Sequence, residues 1–153
     1  MDRSSGRVYL AANGSFFALD YSSGATVSGY PVKSLYDNTL LHNYGGIALV
    51  SGVAYVALGG LCDNGNFIGG VVSVNVSGSV PTKGATFRPV PGGGVWGGGV
   101  WGAGGVVSSL GSLWTAVGNA NNAPFEWSYY GEHGERIFCL VVLGLGSVVG
   151  VRD

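Results

Sequence analysis

The chain has 153 residues, of which 10% are charged and 46% hydrophobic, and its formal net charge is -1. That balance excludes a disordered chain, which is rich in charge and poor in apolar residues, and a nucleic-acid surface, which needs clustered lysine and arginine. Here Arg7, Lys33, Lys83, Arg88, Arg136 and Arg152 are scattered singly, and no apolar run is long enough for a membrane-spanning helix.

The 30 glycines follow no period of three, so with valine and aromatics they predict strands joined by tight turns. No signal peptide is visible at Met1-Asp2-Arg3-Ser4-Ser5, and a strand is expected from residue 6, as in a domain cut from a longer chain or one whose leader has been removed. Residues 6–12 and 15–20 predict a hairpin about Asn13-Gly14, two residues that tolerate positive φ. Tyr21-Ser22-Ser23-Gly24 closes it as a polar turn, and residues 30–38 read as a loop. Residues 46–50 and 53–58 predict a second hairpin, 59–69 a long loop, and 71–76 a further strand. The prolines at 81, 89 and 91 make that stretch an extended connection. Residues 92–105 have the glycine content of a linker, although a linker rarely contains two residues such as Trp96 and Trp101. Residues 106–107 and 113–117 predict paired strands, 118–134 a polar aromatic loop, and 136–142 and 147–151 the last strands. No segment keeps a 3.6-residue apolar period, so the chain is expected to be all-β.

One phrase occurs three times: Gly6-Arg7-Val8-Tyr9, Gly52-Val53-Ala54-Tyr55 and Gly111-Ser112-Leu113-Trp114, each leading through a turn to a second strand. A β unit of this size cannot bury its own faces and must stack on neighbours. The segment Phe17-Ala18-Leu19-Asp20-Tyr21-Ser22-Ser23-Gly24 resembles the repeat of quinoprotein-type β-propellers, and Ser73-Val74-Asn75-Val76-Ser77-Gly78 is a shorter copy with Asn75 in place of the aspartate. The third copy, near Phe138 to Leu140, keeps only the strand. The resemblance implies a quinoprotein-like propeller arc of about three blades, not a closed ring, with approximate repeats 1–44, 45–91 and 92–153. It also implies a secreted or cell-envelope setting, and further blades or self-association to cover the terminal faces. Asp20 is expected to accept hydrogen bonds from its own turn.

In quinoprotein alcohol dehydrogenases a tryptophan floors the pyrroloquinoline quinone ring and an asparagine helps to hold calcium; Trp101 and Asn119 are similar to these in order and spacing. The catalytic glutamate and aspartate of that family have no convincing counterpart, and no adjacent cysteine pair exists. The expectation is therefore a non-catalytic propeller module, structural or binding a protein or glycan, with no cofactor for this chain alone. The alternative is a fragment of a pyrroloquinoline-quinone- and calcium-dependent alcohol dehydrogenase. The ligand surface is expected at Asn121, Asn122, Trp127, Tyr129 and Tyr130, because tyrosine and tryptophan combine apolar area with a polar tip. No metal site is expected: His42, His133, Cys62 and Cys139 have the spacing of no compact zinc motif, and the two cysteines could form one bridge or two free thiols. The glycine triplets at 92–94 and 97–99 lack the lysine of a phosphate-binding loop, and no Gly-x-Ser-x-Gly elbow is present.

Overall fold

The computed structural model of the chain describes residues 1–37, 39–90, 94–109, 112–118, 120–121, 136–143 and 147–149, with the backbone alone for Asp63, Asn121 and residues from 136 onward. The described residues form an all-β structure of several antiparallel sheets, none closed into a barrel. The first sheet is the hairpin of β1 (Arg7–Ala12) and β2 (Ser15–Asp20), in register from Arg7↔Asp20 to Ala12↔Ser15. Its turn is the expected one, with Asn13 and Gly14 at φ 48° and 70°.

The second sheet runs β4 (Ile47–Val50), β5 (Val53–Gly60), β6 (Gly70–Asn75) and β7 (Thr82–Phe87), each antiparallel to the next. The short β3 (Leu41–His42) pairs with the far end of β5, along the edge that β4 also uses. The third sheet has the same sequential order in β9 (Val106–Ser109), β10 (Ser112–Val117), β12 (Arg136–Leu143) and β13 (Ser147–Val149). A small ribbon joins β8 (Trp96–Gly97) to β11 (Ala120–Asn121).

The three sheets stack face to face, and the side-chain period of two explains how. In β5 every residue is buried, because both of its faces are covered. Ala54, Val56 and Leu58 point one way, into a core shared with Phe16 and Tyr9 of the first sheet. Val53, Tyr55 and Ala57 point the other way, into a core shared with Val106, Leu113 and Val117 of the third. Cross-strand partners obey the same division: Ala54 and Val56 face Val74 and Val72, while Ala57 faces Val71. Each of these buried valines contributes on the order of 1.5–3 kcal/mol relative to exposure.

Two connections differ from the sequence reading. The stretch from residue 81 was expected to be a bare connection, yet Thr82–Phe87 forms the edge strand β7. Pro81 and Pro89 flank the strand rather than interrupt it, and its near-complete exposure removes the apolar alternation that would have marked it. Residues 94–105 are not a free linker. The Val100 N–H donates to the Leu58 carbonyl (3.0 Å), Gly69 N–H to Gly97 (2.9 Å), Gly118 N–H to Gly99 (2.8 Å) and Gly46 N–H to Ala103 (2.9 Å). This crossover stitches the end of the second sheet to the third. The glycines permit it sterically: a Cβ on Gly69 would lie 2.5 Å from the Gly98 oxygen and the Gly99 Cα, and one on Gly45 would lie 2.6 Å from the Gly105 Cα.

The repeat turn is built as expected. Asp20 Oδ1 accepts from the N–H of Ser22 (3.1 Å) and Ser23 (2.8 Å) and from both serine hydroxyls. Asn75 does the same with the Ser77 N–H (3.0 Å) and hydroxyl (2.7 Å), which is why asparagine substitutes for aspartate in the second copy. The Ser22 and Ser23 hydrogen bonds lower the Asp20 carboxyl to about 2. A depressed folded value means that the carboxylate stabilises the turn fully above the unfolded aspartate pKa, and that this contribution fades as pH falls through about 2. Asp20→Asn is therefore expected to flatten the acid limb of the stability-pH curve between about pH 4 and pH 2. Urea midpoints across that range check it; parallel curves for the two proteins would contradict it.

Candidate binding groove and aromatic nest

A groove of about 800 Å³ lies between the first hairpin and the second sheet. The loop after β2 supplies Lys33, Tyr36 and Asp37, β7 and its exit supply Lys83 and Arg88, and the crossover supplies Trp96. The sequence reading had these cations scattered singly; the fold gathers Lys33, Lys83 and Arg88 at one groove. Two are anchored by backbone carbonyls, Lys83 Nζ to Ser34 (3.0 Å) and Arg88 Nη1 to Ile68 (3.2 Å). The lining carboxylate of Asp37 accepts from the N–H and hydroxyl of Thr39, which lowers its pKa. The groove is thus a cationic slot with aromatic walls, suited to an acidic ligand. Burial raises the Tyr36 hydroxyl, so this wall stays neutral across physiological pH.

Trp101 lies apart from that groove, in a nest at the end of β5. Its indole meets Tyr44 at a centroid distance of 5.7 Å and Phe67 edge-on at 5.9 Å. Gly59, Gly99 and Gly118 close on the same ring: a Cβ at any of them would come within 2.7 Å of an indole atom. His42 extends the aromatic row through Tyr44 at 6.1 Å, and its Nε2 is buried without a partner among the described residues. The glycines around Trp101 are therefore spent on admitting the indole between sheets.

The other expected site residues fall differently. Asn119, Asn122, Trp127, Tyr129 and Tyr130 lie outside the described residues, and Asn121 is placed only as backbone in β11. Cys62 is an exposed free thiol. Among the described residues no group of three or more His, Cys, Asp or Glu is arranged to hold a metal ion, and no helix is long and apolar enough to cross a membrane. The cationic groove was missed because its residues come from three distant segments. The hint available was local, in Lys33 and Tyr36 within the loop at 30–38.

No protein-family model matches the chain, and no curated protein or solved structure matches it. The fold and the site define a class only: an all-β structure of stacked antiparallel sheets in which, among the described residues, no cluster of His, Cys, Asp or Glu side chains is evident, which is consistent with a non-catalytic or structural role.

Proposed function

We propose that the chain is a non-catalytic repeat module of β-propeller type, an arc of about three blades that works as a stacking element and offers its cationic groove to an acidic protein or glycan segment. One observation carries the reading: the three repeat anchors all point forward. Tyr9 packs into the core shared with the second sheet, and Tyr55 packs, 0% exposed, into the core shared with the third. Trp114 occupies the same place in its repeat, lies on the opposite face of β10 from buried Leu113, and is 38% exposed beside Val107 at 54%. The third sheet thus presents the surface that the first two have covered. The rear of the first sheet presents the complementary one, with Val8, Leu10, Phe17 and Leu19 only half-buried. A further repeat or a second copy covers both, head to tail.

Light scattering over a concentration series tests this. The chain is expected to associate reversibly above its 15.5 kDa mass, and Trp114→Arg to hold it near monomer mass. A wild-type chain that stays monomeric at the highest concentrations would sink the proposal. The alternative, a fragment of a quinone- and calcium-dependent dehydrogenase, keeps Trp101 as its floor. That indole is enclosed by Gly59, Gly99, Gly118, Tyr44 and Phe67, which favours a packing role.

A further inference from the structure

Lys83, Thr86 and Arg88 all line the cationic groove, which an unbroken strand would not allow. Side chains alternate across a strand, so Lys83 and Thr86 would otherwise face opposite ways. The register of β6 and β7 brings them together. Val74 pairs with Lys83 and Val72 with Thr86, so Gly84 and Ala85 of β7 stand opposite the single residue Ser73. Such a β-bulge exchanges the faces of the strand beyond it. Lys83 and Thr86 therefore share the face of their partners Val74 and Val72, which lie in the core against the first sheet. Phe87 pairs with Val71 on the other face, and Arg88 returns to the groove.

The bulge is held from inside. Ser73, 1% exposed, donates its hydroxyl to the Ala85 carbonyl (3.0 Å). A Cβ on Gly84 would lie 2.5 Å from the same hydroxyl, so the bulge is fitted to glycine. The cations that it aligns are held as well. Lys83 Nζ on Ser34 and Arg88 Nη1 on Ile68 each use one donor and leave others of the ammonium and guanidinium for a ligand. Lys83 lies opposite Val74 and Arg88 beside Gly70, a separation along the strand of about 13 Å at the usual rise. Lys33 adds a third cation from the loop after β2, and half-buried Trp96 and Tyr36 supply aromatic surface.

We propose that the groove takes an acidic oligosaccharide, a chain of uronate sugars laid along β7 with carboxylates on Lys83 and Arg88 and a pyranose face on Trp96. This inference rests on the reading of the groove as a site for acidic ligands and narrows it to one class. The separation of the cations argues against a single small anion, which needs donors converging on one point. A pyranose ring has an apolar C–H face suited to an indole, and hydroxyls suited to the carboxamides of Asn13 and Asn66 in the groove lining. An acidic peptide is disfavoured, because an extended peptide on a sheet is held by a free strand edge. The outer edge of β2 is taken by Val32 through two hydrogen bonds with Phe16 (2.9 Å each), and the end of β5 at the groove is taken by β3.

Calorimetric titration of the full chain at low salt tests this with three ligands. They are a uronate oligosaccharide, the same oligosaccharide with its carboxyls reduced to alcohols, and a glutamate peptide of equal charge. The uronate is expected to bind about tenfold tighter, or more, than either of the others. Lys83→Gln and Arg88→Gln are each expected to weaken it by about tenfold. Exchanging two exposed neighbours, Thr82→Lys with Lys83→Thr, keeps composition and charge but turns the ammonium to the other face. It is expected to weaken the uronate as much as Lys83→Gln does. A peptide that binds as tightly as the uronate, or tighter, would overturn the assignment to a sugar and leave the acidic-ligand reading standing. Binding of neither would remove both. A reduced sugar that binds as well as the uronate, or an exchange variant that binds like the wild type, would also overturn the proposal.

Discussion

Tyr55→Ala is expected to lower stability by about 3–5 kcal/mol, the range for truncating a large aromatic in a core that cannot collapse around the gap. The ring is 0% exposed and lies among Val53, Ala57, Val71, Val100, Val106, Leu113 and Val117, drawn from two sheets and the crossover between them. Its loss therefore leaves a void at the interface that holds the second sheet to the third. The hydroxyl behaves differently from the ring. Tyr55 Oη is buried without a partner among the described residues, and burial raises its pKa. An unpartnered buried hydroxyl costs free energy, so Tyr55→Phe is expected to be neutral or mildly stabilising. Guanidinium midpoints of the two variants separate the terms. A Tyr55→Phe protein weakened by more than about 1 kcal/mol would show that the hydroxyl has a hydrogen bond.

The second large effect is expected at Gly69. Its φ is not in the left-handed region, so the demand for glycine there is one of space. A methyl group would press on the Gly98 oxygen and Gly99 Cα, both backbone atoms of the crossover. Backbone cannot rotate aside as a side chain can, and the same displacement would strain the Gly69–Gly97 hydrogen bond (2.9 Å). Gly69→Ala is expected to cost about 3 kcal/mol or more, at the upper end for overpacking a filled site. Gly102→Ala is the control, since a Cβ there meets nothing within 4 Å. It should change the thermal midpoint little. Similar losses at the two positions would show that the crossover is not held against the second sheet.

The features most legible in the sequence are those set by local chemistry. Asn13-Gly14 announced the first hairpin because its turn needs two positive φ values, and the apolar run from Val53 announced a strand, though not that both of its faces are buried. The Asp20 turn was legible because the carboxylate bonds to its own backbone. Features set by distant contacts were not. β7 has an exposed, polar edge sequence, so nothing in Thr82–Phe87 records that it pairs with β6. The strand at Val53 continues through Gly59 and Gly60 rather than stopping at Leu58, because these glycines admit Trp101 and Phe67 against the backbone. Lys33, Lys83 and Arg88 looked isolated because charge clustering along a chain says little about clustering across sheets.

The central claim is that the forward face around Trp114 and the rear face around Leu19 are complementary. Disulfide trapping between copies tests it most directly. Leu19→Cys and Val107→Cys chains, each with Cys62 and Cys139 replaced by serine, are mixed at high concentration under mild oxidation. Head-to-tail stacking predicts that the mixed 19–107 dimer forms faster than either like-with-like dimer, and that adding Trp114→Arg to the Val107→Cys chain suppresses it. Like-with-like dimers in excess, or no dimer at concentrations where the wild type associates, would contradict the account.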